Sequence, residues 1–175
     1  MSLLDDIEAG ELSTNSRLLR KAVPGYDYRI RGERADTDRE VREVVVRELT
    51  NAKRGLDDVS DELFRADRRE EVATVDSLKN AILQLERRVK TGSPGPLIQS
   101  VSDAGESEII ELIEFDAQLV NDARDVNQQI DVLYGTVVEN PTSEDVAAEL
   151  RGVRTTVRRL DRTYTGRTEH LRSLD

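Results

Sequence analysis

The stretch Ile109–Val137, IIELIEFDAQLVNDARDVNQQIDVLYGTV, decides the fold. Its apolar residues fall at Ile109, Leu112, Leu119, Ala123, Val126, Ile130, Leu133 and Val137, and the steps alternate between three and four once Asp116 is counted in the series. Steps averaging 3.5 keep one stripe in line along an α-helix and turn it toward a partner helix, as in a supercoiled seam. Ile113, Val120 and Tyr134 widen the stripe, as a helix packed on more than one neighbour requires. The pattern predicts a helix over 105–138.

Downstream, Asn140-Pro141 interrupts the pattern, and Thr142 or Ser143 is placed to cap a further helix. That helix, over 143–172, carries its seam at Val146, Leu150, Val153, Val157, Leu160, Tyr164, Arg167 and Leu171. Upstream, Thr91-Gly92-Ser93-Pro94-Gly95-Pro96 is a dense set of breakers. Leu97 to Val101 after it reads as extended, and Ser102 to Ser107 offers polar caps for the long helix. Before the breakers, Val75, Leu78, Ile82, Leu85 and Val89 mark a helix over 69–91. Val41, Val45, Leu49, Ala52, Leu56, Val59 and Leu63 mark another over 38–66, with Thr37-Asp38-Arg39-Glu40 as its capping box. A reversal is expected near Ala66 to Arg68; the competing reading is one unbroken helix over 38–91, because no Gly or Pro stands between.

The remainder, residues 1–36, reads as a lead-in to a bundle occupying 37–175. It contains short amphipathic turns at Leu3, Leu4, Ile7 and at Leu18, Leu19, a stop at Pro24-Gly25, and an alternating segment Tyr26 to Arg31 that suits an extended course along the bundle. Short connections make consecutive helices antiparallel. The fold class is therefore all-α: long heptad-patterned helices in two hairpins, closing as an antiparallel four-helix bundle or coiled coil about 40 Å long at about 1.5 Å per residue.

Composition narrows the reading further. Only 3% of the 175 residues are aromatic, so a core must be built from Leu, Val and Ile. Acids outnumber bases by ten, and Lys supplies only four of the 26 cations, the rest being Arg. An acidic, lysine-poor surface suits a halophilic cytoplasmic protein, where acidity serves solubility in concentrated salt rather than one specific partner. No cysteine is present, which excludes disulfides and thiolate metal sites. No apolar run approaches the roughly 20 residues that span a bilayer.

The chemistry-bearing inventory is thin. The single His, His170, lies near the end of the last helix and reads as a solvated side chain; Glu108, Glu111, Glu114 and Asp122 read as a solvated acidic face. The Gly-rich segment lacks the Lys-Ser/Thr ending of a phosphate loop, and its prolines remove amides a phosphate would need. The inventory predicts no catalytic, cofactor-binding or metal-ligating residue, no small-molecule substrate, and hence no enzyme.

Charge is distributed unevenly. Residues 103–148 hold twelve acids against Arg124 alone, whereas 151–175 hold seven Arg against three acids. An acidic helix beside an Arg-rich one would neutralise it internally and set the hairpin's register. Arg151, Arg154, Arg158, Arg159 and Arg162 form the candidate face for a polyanion or protein partner. Asp116 sits in a seam, where an unpaired carboxylate is costly. In a hairpin turning at Asn140-Pro141 it lies opposite about Thr165, which brings Arg167 into range as a register-setting partner. The functional expectation is a non-enzymatic helical scaffold, adaptor or self-assembling coiled-coil protein, joined to a protein partner or to its own copies. The runner-up is a protein that binds an anionic membrane surface or nucleic acid through the Arg-rich helix.

Overall fold

The helices begin and end where backbone groups find substitute partners. The computed structural model describes residues 11–92, 101, 103–139 and 142–174, and 88% of these are helical, with no strand among them. We label the helices α1 (Glu11–Ala22), α2 (Arg34–Arg65), α3 (Arg69–Thr91), α4 (Glu106–Val138) and α5 (Ser143–Arg172). The turns expected at Leu3 to Ile7, at Asn140-Pro141 and over most of Leu97 to Val101 lie outside the described residues.

The α2–α3 reversal is real, and a Schellman closure makes it. Asp67 N–H donates to the Phe64 carbonyl and Arg68 N–H to the Leu63 carbonyl, while Asp67 takes the left-handed φ of 56° in the position usually held by glycine. A short Asp side chain tolerates that conformation better than most. At α5, Thr142 is the cap: its hydroxyl accepts from Asp145 N–H at 3.2 Å and the Asp145 carboxylate accepts from Thr142 N–H at 3.1 Å. The start of α4 differs from expectation, because Gly105 is its N-cap and no side chain caps it; Glu106 and Glu108 in the first turn favour the positive helix end instead.

The capping box assigned to Thr37-Asp38-Arg39-Glu40 is corrected. A 3₁₀ turn, Arg31–Glu33, leads directly into α2 at Arg34, so Thr37 and Asp38 lie inside the helix and are buried. Thr37 hydroxyl donates to the Asp27 carbonyl at 2.9 Å rather than to its own helix end. The division between 36 and 37 thus falls within one helix. The lead-in is also part of the core: Leu19, Val23, Tyr26 and Tyr28 pack with Val41, Val44, Ile109, Leu112, Val120 and Leu171. Tyr26 to Arg31 forms a bend leading into the 3₁₀ turn rather than a strand, and the expected alternation holds only as far as Tyr28: Tyr26 and Tyr28 point inward, but Ile30 is 52% exposed beside the exposed Arg29.

Every seam residue predicted for α2, α3, α4 and α5 is buried. Of the three that widen the α4 stripe, Ile113 and Val120 are buried and Tyr134 is not, being 40% exposed near the end of the helix. Consecutive helices are antiparallel, as the Asp57–Lys79 and Asp122–Arg159 pairs require. The two hairpins then dock so that like-directed helices are neighbours. Asn127 of α4 donates to the Glu48 carbonyl of α2 at 3.0 Å, and Ile130 packs on Gly55. Near the beginnings of α3 and α5, Arg68 reaches Ser143; near their ends, Arg88 reaches Thr165 at 3.0 Å. The order around the bundle is therefore α2, α3, α5, α4, with α2 and α4 forming one layer and α3 and α5 the other.

A buried charge cluster and an exposed arginine stripe

At the level of Asp116 the seams turn charged, and α5 presents Arg167 from its own seam. Both are 1% exposed or less. Arg167 Nε donates to Asp116 Oδ1 at 2.7 Å, and its Nη2 donates to Asp38 Oδ1 at 2.7 Å across the diagonal of the bundle. The remaining capacity of the two carboxylates is filled. Tyr28 and Tyr26 hydroxyls donate to Asp116 Oδ2 at 2.9 and 3.3 Å, and Arg42 Nε donates to Asp38 Oδ2 at 3.0 Å. Two carboxylates thus face two guanidiniums, and the cluster is neutral as a unit. A buried charge that is paired and hydrogen-bonded avoids most of the cost of leaving water.

Every partner of Asp116 is a donor, so the ionised form fits the site even though burial, the dominant influence, pushes its carboxyl up against the pull of Arg167. Burial also acts to raise Asp38, but there the Arg167 and Arg42 guanidiniums outweigh it and hold the carboxyl below its ordinary value. Burial and the Asp116 carboxylate push both tyrosine hydroxyls well above the usual range, which keeps them neutral donors. For Arg167 burial works against the charge and the two carboxylates overcome it, raising the guanidinium well above its ordinary value. The cluster is sealed from solvent by the lead-in. Arg34, itself buried, donates to the carbonyls of Tyr28 and Ala104, both at 2.7 Å, and ties that segment down.

The Arg-rich face divides. Arg159 is tied to α4, donating to Asp122 at 2.7 Å and Asp125 at 3.0 Å. Asp122 is fully buried and also accepts from Gln118 at 2.7 Å, so it is not part of a solvated acidic face. Arg151, Arg154, Arg158 and Arg162 make no ion pair or hydrogen bond through their side chains within the described chain. Steps of three and four residues line them up on the outer side of α5, where Arg151, Arg158 and Arg162 are exposed and Arg154 is half-buried. Internal neutralisation by α4 therefore reaches Arg159 and Arg167 and leaves a stripe of four unpaired cations.

His170 is also not solvated. Nδ1 lies 3.0 Å from Glu111 Oε2, Nε2 lies 3.1 Å from the Glu108 carbonyl, and the ring tilts against Phe115. Gly166 makes room for that ring, since a Cβ there would stand 3.2 Å from Phe115 Cε1. These contacts tie the end of α5 to the start of α4, and all of the groups lie on the outer groove between the two helices. Sequence reasoning missed Asp38, Asp122, Tyr26 and Tyr28 as participants. Each carried a weak signal, because each is a polar group close in phase to a buried stripe. No helix among the described residues is long and apolar enough to cross a membrane. Compared with known proteins, the chain matches no protein family, no curated protein and no solved structure.

Proposed function

We propose that the chain is a non-enzymatic helical scaffold or adaptor, a coiled-coil-like cytoplasmic bundle whose outer helix faces hold protein partners. The observation that carries this reading is how the charges are used. The buried set, Asp38, Asp116 and Arg167, is paired within the bundle, while Arg151, Arg154, Arg158 and Arg162 face outward with no partner among the described residues. A rigid register with an unpaired charged surface suits recognition of another macromolecule.

Cross-linking in intact cells followed by mass spectrometry tests it. The expected result is a stoichiometric protein neighbour, including other copies of the chain, linked to the outer faces of α3 and α5. Recovery of the chain bound only to nucleic acid or lipid would reject the scaffold reading in favour of polyanion binding. The same exposed arginines support that second reading, since guanidinium forks suit phosphates.

A further inference from the structure

The bundle is polarised across its short dimension. The α2–α4 layer carries eight cations against seventeen acids, and the α3–α5 layer twelve cations against nine acids, so the layers hold net charges of −9 and +3. This polarity follows from the docking of the hairpins with parallel neighbours. Had the hairpins docked with antiparallel neighbours, α2 beside α5 and α3 beside α4, the layers would hold 14 cations against 14 acids and 6 cations against 12 acids, and no positive layer would form. On the positive side the stripe Arg151, Arg154, Arg158 and Arg162 makes no ion pair among the described residues. Beside it Ala73, Ser77, Asn80, Ala81 and Gln84 on the outer face of α3 are small or uncharged and exposed around a single acid, Asp76, while Glu70 and Glu71 lie across the groove from Arg151 and Arg154 at the start of the helix. On the negative side Asp58, Glu114 and Asp131 are exposed and make no ion pair within the described chain. Asp61 is exposed one helical turn beyond Asp58.

We propose that the α3–α5 face of one molecule docks on the α2–α4 face of a second copy, so that the protein self-associates head to tail through arginine–carboxylate pairing. This rests on the scaffold reading and names its partner. Complementarity selects the geometry. A two-fold contact centred on either layer would set the arginine stripe against itself or the acidic layer against itself, whereas a heterologous contact between the layers pairs opposite signs and leaves one face of each kind open for the next copy. At about 10 Å of screening in 0.1 M salt, each face responds to the layer it meets more than to the net charge behind it. The contact grows by addition and dissolves as salt rises.

Sedimentation velocity of the full chain over a concentration series tests this, in low salt and in molar salt. The expected result is growth beyond a dimer with concentration in low salt and its loss in molar salt. Two surface variants then separate the faces: Arg151→Gln/Arg158→Gln/Arg162→Gln, and Asp58→Asn/Asp61→Asn/Asp131→Asn, each checked for its fold by circular dichroism. Each alone should lose self-association, and an equal mixture should form a one-to-one dimer that grows no further, because only one complementary pair of faces remains. A parent chain that is monomeric throughout, or a dimer that does not grow, overturns the proposal. So does a monomer that binds phosphatidylglycerol vesicles and loses them in the Arg variant. If the parent is monomeric while cross-linking still finds a stoichiometric foreign protein, the self-docking is wrong and the scaffold reading survives.

Discussion

Replacing Arg167 with Met removes the one cation that touches both buried carboxylates. In the parent, Asp38 and Asp116 are balanced by Arg42 and Arg167; in the variant one negative charge is in excess, and it falls on Asp116, which retains only the two tyrosine hydroxyls. Asp38 keeps Arg42. Breaking a buried pair from one side costs about 3 to 5 kcal/mol. Total stabilities are typically about 5 to 15 kcal/mol, so the loss is readily measured by denaturant unfolding followed by circular dichroism. The pH dependence gives a second, independent check. Without Arg167, the folded-state pKa of Asp116 rises further above its unfolded value of about 3.9. A carboxyl shifted upward contributes stability below its unfolded pKa and loses it as pH rises through the folded one, so the variant's deficit should be smallest in mild acid and grow toward neutrality. Asp38 in the parent has the opposite sign: its lowered pKa supplies stability above the unfolded value that is lost as pH falls through the folded one. Combining Arg167→Met with Asp116→Leu removes both charges, and the double variant should be more stable than the two single losses add up to, with coupling of about 0.5 to 3 kcal/mol or more. An Arg167→Met protein with the parent's unfolding midpoint, or no coupling in the cycle, would refute the claim that the pair bears on the register.

Leu160→Ala and Leu56→Ala should each lose about 2 to 5 kcal/mol in the same assay, since both side chains are fully buried; parent-like unfolding of both would put the seams out of phase. Two glycines make a paired test of helix packing. Gly55→Ala places a Cβ 2.7 Å from Ile130 Cγ2 and should cost about 1 to 3 kcal/mol by forcing α2 from α4. Gly152→Ala meets open space on the outside of α5 and should gain about 0.5 to 1 kcal/mol, and the opposite ordering of the two melting temperatures would contradict the parallel packing of α2 on α4. Thr142→Ala should lower stability by about 1 kcal/mol through loss of the α5 cap, read as earlier fraying by hydrogen exchange at the start of that helix.

The helices were legible because a seven-residue repeat survives wherever a helix buries one stripe, and the seams of α2 through α5 required nothing else. Asp116 was legible for the converse reason: a carboxylate in such a repeat needs a partner, and the turn at residues 140–141 points to the neighbourhood of Arg167. Asp38 was hidden because Thr37-Asp38-Arg39-Glu40 satisfies a capping pattern as written, and only the preceding 3₁₀ turn shows the helix to be already under way. Tyr26 and Tyr28 showed their inward side through alternation, but not that their hydroxyls require an acceptor ninety and eighty-eight residues away. The order of helices around the bundle was not legible. Loop length fixes the direction of successive helices, whereas the choice of lateral neighbour between hairpins depends on fits such as Ile130 on Gly55 and Asn127 on Glu48.

The diagonal reach of Arg167 also bears on how the chain acquires its shape during synthesis. Its two carboxylate partners precede it by 129 and 51 residues, so they emerge from the ribosome well before their cation exists. The first hairpin can form from local contacts while Asp38 remains in water, but the end of the bundle beside Tyr26 and Tyr28 has no low-cost closed state until the last turns of α5 arrive. Desolvating that end early would strand a negative charge. Closure of that end is therefore cheapest once α5, the segment that carries Arg167, is in place.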